Sequence, residues 1–374
     1  MSQNIKIVIT PHSKKIGETY IFPRMLDVWE TNESQLVLFN VVGEWDHLDT
    51  ECVIANPMRW FAELAPNIEN FSPWLNYRIW LTFTSLSIIF GLPIILWRIT
   101  ALHNNITVIA RMATLSVIIS RFWSPRKVRF CASMAGVPLA NIGRKLLWRI
   151  FYTSYDTIYI PCETMRNHLI RLLKTYPDRK IKVLRNAVLT AEHFRHTHTV
   201  RSIADKLKIY TVGRLTRQKG VDVLIKACAK LEFDFELHVF GDGELHDGLL
   251  AMSEKLLPKN SAFFHGRVEN VWSKTSELHL FVMPSRWEGP GHTIIEALAC
   301  GIPSIVSNCP YGPEETVEFG RYGFVFQADN VEQLEMCINR AYDDYELILE
   351  KAKLGKIGMQ KFVNTSVVQE WYDV

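Results

Sequence analysis

Two stretches of this chain carry residue types and spacings suited to chemistry on an anion. The first is Val212-Gly213-Arg214-Leu215-Thr216-Arg217-Gln218-Lys219-Gly220. An apolar run ends at Val212, as a strand does, and helical spacing begins after Lys219. Gly213 lets backbone approach a ligand closely. Arg214 and Lys219 then share the strand's carboxyl end, where two cations suit a diphosphate and its oxygens accept bidentately from Arg. A solvated basic turn is the plainer alternative. The second stretch is Pro284-Ser285-Arg286-Trp287-Glu288-Gly289-Pro290-Gly291-His292-Thr293-Ile294-Ile295-Glu296-Ala297. It reads as a strand, a Gly-Pro-Gly turn and a helix, whose free amides and dipole make an anion site. Seven residues separate Glu288 from Glu296, so two carboxylates can flank one ligand and accept from paired hydroxyls. The plainer alternative makes Glu288 a loop charge and Glu296 a charge near a helix start.

Two further stretches say less alone. Phe240-Gly241-Asp242-Gly243-Glu244 is an ordinary turn after a strand. Gly312-Pro313-Glu314-Glu315-Thr316-Val317 reads as a helix start with acidic residues in its first turn, or as a loop reaching a cleft.

Positioning these residues requires alternating strands and helices. Strands are expected at 208–212, 236–240, 262–265, 278–283, 303–307 and 323–326, with helices at 221–231 and 293–300. Such alternation predicts a parallel sheet with helices on both faces. The first half opens with a strand at 5–10. Further strands are expected at 36–40, 106–109, 128–131 and 158–161, and a helix at 165–173. The polar stretch 189–205 is read as a hinge. Two α/β domains follow, with ligands beyond the carboxyl ends of the strands.

At 374 residues the chain is about right for two domains. Its 48% hydrophobic content supports full cores and excludes disorder. Seven Cys are scattered, with no CxxC pair and no Cys/His cluster at metal spacing, so they read as reduced thiols. The N-terminus lacks an apolar core of signal-peptide length, and a cytoplasmic location is expected. No GxGxxG follows a strand, which argues against a dinucleotide-dependent oxidoreductase.

Charge is uneven. From Asn70 to Tyr155 there is no Asp or Glu, while ten Lys and Arg lie there; removing them from a net +3 leaves −7 for the rest. The block also holds Trp74, Trp80, Trp97, Trp123 and Trp148. Basic residues and Trp beside apolar runs suit an anionic membrane surface, and no nucleic-acid motif accompanies them. A basic active-site wall is the alternative. Within the block, residues 79–97 are uncharged and long enough to cross a bilayer. Gly91 and Pro93 are expected to break that run into a buried or surface-dipping helix and a strand, without crossing.

Taken together, GRLTRQKGVDVLIKA, FGDGEL, FHGRVENV, MPSRWEGPGHTIIEALACGIPSIVS and GPEETV resemble, in order and spacing, the retaining family-4 glycosyltransferases of GT-B fold. The resemblance is strong over residues 181–326 and weaker at DTIYIPCETMRNHL and LRNAV. It implies two Rossmann-like, doubly wound parallel-sheet domains facing a central cleft: 1–189 for acceptor and membrane, 190–355 for the donor. Residues 356–374 would form a helix returning to the first domain. Arg214 and Lys219 would neutralise the departing diphosphate, Glu288 would hold donor-sugar hydroxyls, and Glu296 the ribose. Backbone at Gly266, Arg267 and Val268 would face the base. Glu315, Gly213, Gly289 and the amides of Gly291, His292 and Thr293 would border the diphosphate and sugar, and Gly17 would face the phosphates from the other domain.

Three departures stand out: Pro290 replaces the usual aromatic after Glu-Gly, Ser13-Lys14-Lys15-Ile16-Gly17-Glu18 lacks the usual double glycine, and Ala135-Gly136 stands where many members carry His-Gly. The implied activity is retaining transfer of a hexose or N-acetylhexosamine from a nucleotide sugar, with UDP expected, to a glycan or polyprenol-linked acceptor in polysaccharide or lipopolysaccharide synthesis. It needs no cofactor and, lacking an Asp-x-Asp motif, no metal; the protein is peripheral on the cytoplasmic membrane face. The rival readings are a UDP-sugar epimerase of the same fold and an inactive homologue serving as a membrane-associated binding partner.

Overall fold

The computed structural model describes residues 4–9, 34–40, 53–58, 73–111, 114–134, 152–173, 176–195, 198–199, 202–203, 205–275 and 277–372. They fall into two compact units. One holds Met1–Pro161, Arg166–Arg185 and Val368–Val374; the other holds Cys162–Met165 and Asn186–Val367. The sequence reading draws its boundaries at 189/190 and 355/356.

The first unit is built on strands β1 (Asn4–Ile9), β2 (Ser34–Asn40), β3 (Val53–Ala55), β4 (Ile106–Arg111), β5 (Arg129–Ser133), β6 (Thr157–Ile160) and β7 (Ile181–Val183). They pair in the order β3-β2-β1-β4-β5-β6-β7, all parallel. Ile5 through Ile9 are all buried, the near-continuous burial of a strand covered on both faces. Lys6 is the charged exception; its buried ammonium donates to the Trp371 carbonyl, and the Trp371 indole donates to the Arg185 carbonyl. These bonds tie the chain's last residues into the first unit.

Between β3 and β4 runs helix α1 (Pro73–Thr100). The expected break at Gly91 and Pro93 does not occur, and no strand forms there. Pro93 removes one helical hydrogen bond, but buried Ile88, Leu92, Ile95 and Leu96 hold the helix together on its inner face. Gly91 is present for close packing: a Cβ there would lie 2.0 Å from Oδ1 of Asn56. Nδ2 of that Asn donates to Ser87 Oγ at 3.1 Å. The 19-residue stretch Thr82–Thr100 is apolar and long enough to cross a membrane. It does not separate the strands on either side of it, because β4 returns to pair with β1, Ile106 beside Ile5. Helix α2 (Thr114–Ser120) follows β4, and α3 (Glu163–Leu172) follows β6.

The second unit contains β8 (Leu207–Val212), α4 (Val221–Cys228), β9 (Phe235–Phe240), α5 (His246–Leu256), β10 (Ala262–Phe264), β11 (Leu280–Met283), α6 (His292–Ala299), β12 (Ser304–Ser307), α7 (Pro313–Thr316), β13 (Phe324–Phe326), α8 (Val331–Asp343), α9 (Tyr345–Gly358) and α10 (Asn364–Tyr372). Its last helix continues past the unit boundary. The sheet order is β10-β9-β8-β11-β12-β13, all parallel. Strand residues alternate between two cores. Leu207, Ile209, Leu280 and Val282 join the face shared with α4 and α8. Tyr210, Phe281 and Met283 join the face shared with α6.

Described residues of the stretch 189–205, read as a hinge, belong to the second unit. Leu189 bridges Val363, and buried His198 lies 3.1 Å from the Tyr345 hydroxyl, so these residues pack into the second unit. His193, in the same stretch, reaches Glu296 on α6.

Candidate functional site

In the second sheet the chain winds outward from β8 to β10, then restarts at β11 on the other side. This switch point between β8 and β11 is where the connecting loops diverge and leave a crevice beyond the carboxyl ends. The two motif loops leave these two strands. Their neighbours pack backbone to backbone: a Cβ on Gly241 would lie 1.8 Å from the Gly213 oxygen, at a φ of +132°. Leu215 N donates to Asp242 O at 2.9 Å. The Gly-Asp-Gly turn thus fixes the loop that carries Arg214 and Lys219.

Lys219 Nζ lies 2.5 Å from Glu288 Oε1, the two side chains 17% and 8% exposed. Ser285 Oγ donates to the same oxygen at 2.8 Å. The loops are clamped alongside. Arg286 donates both terminal nitrogens to Asp222 at 2.8 Å each, its Nε to Asp329 at 2.5 Å, and NH1 to the Arg217 carbonyl at 2.9 Å. Burial pushes the Asp222 carboxyl up, but the Arg286 hydrogen bonds and charge outweigh it and hold the pKa below its ordinary value. The hydrogen bond to Asp222 holds Arg286 above its own. Gly220, at φ +64°, has no room for a Cβ, which would sit 2.0 Å from the Pro284 carbonyl oxygen. Arg214 is exposed at the loop's outer edge.

Glu296 has other partners. Trp272 Nε1 donates to its Oε2 at 3.1 Å, and His193 Nε2 is 3.9 Å from Oε1. His193 Nδ1 accepts from the Thr190 amide at 3.2 Å, which assigns the ring proton of a neutral His193 to Nε2, facing Glu296. Glu288 and Glu296 are therefore held by separate sets of neighbours. At the start of α6, Gly291 has a φ of +74°, and His292 Nε2 is 3.1 Å from Asn186 Nδ2. Thr293 donates to the Met283 sulfur at 3.5 Å. Gly289 backs onto Gly312, where a Cβ would lie 2.5 Å from the Gly289 oxygen, and Thr316 donates to the Pro290 carbonyl at 3.0 Å.

Glu315 accepts from the amides of Glu163 and Thr164 at 2.9 and 2.7 Å, all within the second unit. Gly266 takes a φ of +64° and accepts from the Gly241 amide at 2.7 Å; exposed Arg267 and half-buried Val268 follow it. Gly17 lies outside the described residues. Nearby thiols are protonated: burial pushes Cys309 up to about 12 and Cys162 up to about 11. Sequence reading missed Ser285, Arg286, Asp222, Trp272, His193 and Asn186 as neighbours of the site. Their partners are 64 to 106 residues away for Asp222 and Asn186, a distance no local spacing encodes.

Residues 196–358 match the family glycosyl transferases group 1. An N-acetylgalactosamine-N,N'-diacetylbacillosaminyl-diphospho-undecaprenol 4-alpha-N-acetylgalactosaminyltransferase of Campylobacter jejuni is 26% identical over 216 residues, 58% of this chain and 57% of that protein. The chain spans about half the length of the curated relatives it matches. A glycosyltransferase from Rickettsia africae superposes with a TM-score of 0.76 at 16% identity, covering 99% of this chain and 97% of that one. The Anabaena protein HepE in complex with UDP and glucose gives a TM-score of 0.72 at 17% identity, covering 98% of each chain. At these identities the likeness is one of fold, and the fold is GT-B, as the motifs imply.

Proposed function

We propose that this chain, whose residues 196–358 match glycosyl transferases group 1, is a retaining, metal-independent hexosyltransferase. It moves a hexose or N-acetylhexosamine from a UDP-sugar to a glycan or lipid-linked glycan at the cytoplasmic face of a membrane, in surface polysaccharide or glycoconjugate synthesis. One observation carries the reading: a cation and a carboxylate, Lys219 and Glu288, meet 2.5 Å apart beside the switch point of a parallel sheet. The UDP choice draws on the UDP held by the Anabaena protein. The lipid-linked acceptor draws on the diphospho-undecaprenol in the Campylobacter relative's name.

In this reading the donor diphosphate competes with Glu288 for Lys219 and recruits exposed Arg214. Glu288, released, accepts from donor-sugar hydroxyls; Glu296 accepts from the ribose. The bond from the anomeric carbon to the phosphate oxygen breaks, its electron pair going to the diphosphate. The acceptor hydroxyl oxygen bonds to that carbon on the face the diphosphate leaves, and its proton passes to the departing phosphate oxygen. Arg214 and Lys219 stabilise the developing charge. Glu315, Gly213, Gly289 and the α6 amides border the phosphates and sugar, and Gly266, Arg267 and Val268 the base.

The test is thermal stability against UDP, GDP, ADP and their sugars, with and without EDTA. Ligand at about 100 times its Kd adds roughly 2.7 kcal/mol of stability. A rise with uridine nucleotides that survives EDTA and disappears in Glu296→Ala supports the reading. No rise with any of them sinks it in favour of an inactive homologue.

A further inference from the structure

Over residues 88–97, helix α1 carries apolar side chains on both its inner and its outer face. Its inner face is buried at Ile88, Leu92 and Leu96. Its outer face, at spacings of four and three, presents Phe90, Ile94 and Trp97, all exposed. A helical stretch apolar on both faces is normally covered on both. Beside it, past α2, Phe122 and Trp123 extend the same surface: Trp97 is 61% exposed, Phe122 82% and Trp123 55%. The Phe90 and Phe122 rings each lie 6.4 Å from that of Trp123. Soluble monomers rarely expose so continuous an apolar patch.

The patch is chemically prepared for an apolar medium. The Trp97 indole N–H donates to the Trp123 carbonyl at 2.9 Å, so its one polar donor is already satisfied while the ring stays outside. Exposed Arg126 lines one cavity with Trp97, Phe122 and Trp123, and exposed Arg98 follows Trp97 in the chain. Arg121 is held by Asp156 at 3.0 Å and by the Ser154 carbonyl, at the wall of a cavity of about 810 Å³ lined by Trp97, Trp123 and Arg126. With no acidic residue between 70 and 155, nothing in this segment offsets the cations. Arg111 does not contribute to this surface, being buried in β4.

We propose that this surface docks on an anionic phospholipid membrane. The rings of Phe90, Trp97, Phe122 and Trp123 enter the interface, and Arg98 and Arg126 meet lipid phosphates. A second copy of the chain fits poorly, because a two-fold contact would set each basic rim against its own twin. The inference deepens the reading of a membrane-face transferase and rests on it for its purpose, but not for its test.

Full-length protein is floated with phosphatidylethanolamine/phosphatidylglycerol vesicles and with phosphatidylcholine vesicles, without nucleotide or acceptor. Binding is expected only to the anionic set. Arg98→Glu/Arg126→Glu lowers the partition coefficient about fivefold or more per cation, and Phe122→Ser/Trp123→Ser lowers it about tenfold or more. Brominated lipids in the anionic vesicles quench tryptophan emission, and Trp97→Phe/Trp123→Phe removes most of that quenching while binding persists. That last variant keeps the test open if the Ser pair fails to fold. No binding to anionic vesicles, binding equal to the native protein's by both Arg98→Glu/Arg126→Glu and Phe122→Ser/Trp123→Ser, or a solution dimer that dissociates in Phe122→Ser/Trp123→Ser overturns the proposal. Protein that floats but binds no nucleotide leaves the surface standing and sinks the transferase reading. Protein that transfers sugar to a soluble acceptor but never floats does the reverse.

Discussion

Lys219 and Glu288, 69 residues apart in the chain, share an ion pair of 2.5 Å, with Ser285 as a second donor to the same carboxylate oxygen. The two residues expected to serve a donor's phosphate and sugar hold each other in the free protein. The pair keeps both side chains oriented, and it must open for either to take a ligand.

Breaking this pair from one side leaves the other charge poorly compensated, whereas removing both does not. Lys219→Met should lower kcat by about 10²–10³-fold and also cost roughly 1–3 kcal/mol of stability. Adding Glu288→Gln should restore part of the stability and none of the activity. Denaturant melts and initial rates on the four corners of the cycle measure this; equal stability losses in the single and double variants would refute the coupling.

Arg214 is exposed and outside the clamp, so Arg214→Ala should reduce kcat by about 10²-fold with little change in Tm. Turnover left intact would remove Arg214 from the machinery.

Glu296→Gln should weaken donor binding more than it slows turnover, raising KM with a smaller change in kcat. Trp272, whose indole donates to Glu296, offers a second readout. Its emission should shift on nucleotide binding in the native protein and stay constant in the variant.

The Asp222–Arg286 pair predicts an acid-side loss of stability. The folded carboxyl is held below its ordinary value, so its contribution is fully present above about pH 4 and is lost as pH falls through the folded pKa. Asp222→Asn should lower Tm at pH 7, and the gap between variant and native protein should narrow towards pH 3. A gap independent of pH over that range would refute the assignment.

Much of the second unit was legible. Strand β11 feeds two cores and reads as an unbroken apolar run, β8 and β9 are apolar apart from Lys208, Thr211, Glu236 and His238, and the helices between them carry regular spacing. Strand, turn and helix around Glu288 are where the sequence puts them. Helix α1 was misread because Gly91 and Pro93 are breakers by local rule. Asn56, contributed from beyond β3, gives Gly91 its purpose, and burial of the inner face outweighs the bond lost at Pro93.

The sequence by itself determined the parallel α/β class, the glycine-bearing loops after β8 and β11, and the concentration of cations and tryptophans between 70 and 155, since these depend on residue type and on periodicities of a few residues. Only the tertiary structure decided that Lys219 pairs with Glu288 while Glu296 faces Trp272 and His193, and that Arg111 is buried while Trp97 and Trp123 stand outward. Those outcomes depend on strand order and on which face of an element meets the core. Contacts between residues 24 to 103 apart are set by the packing of whole elements, and local spacing carries no record of them.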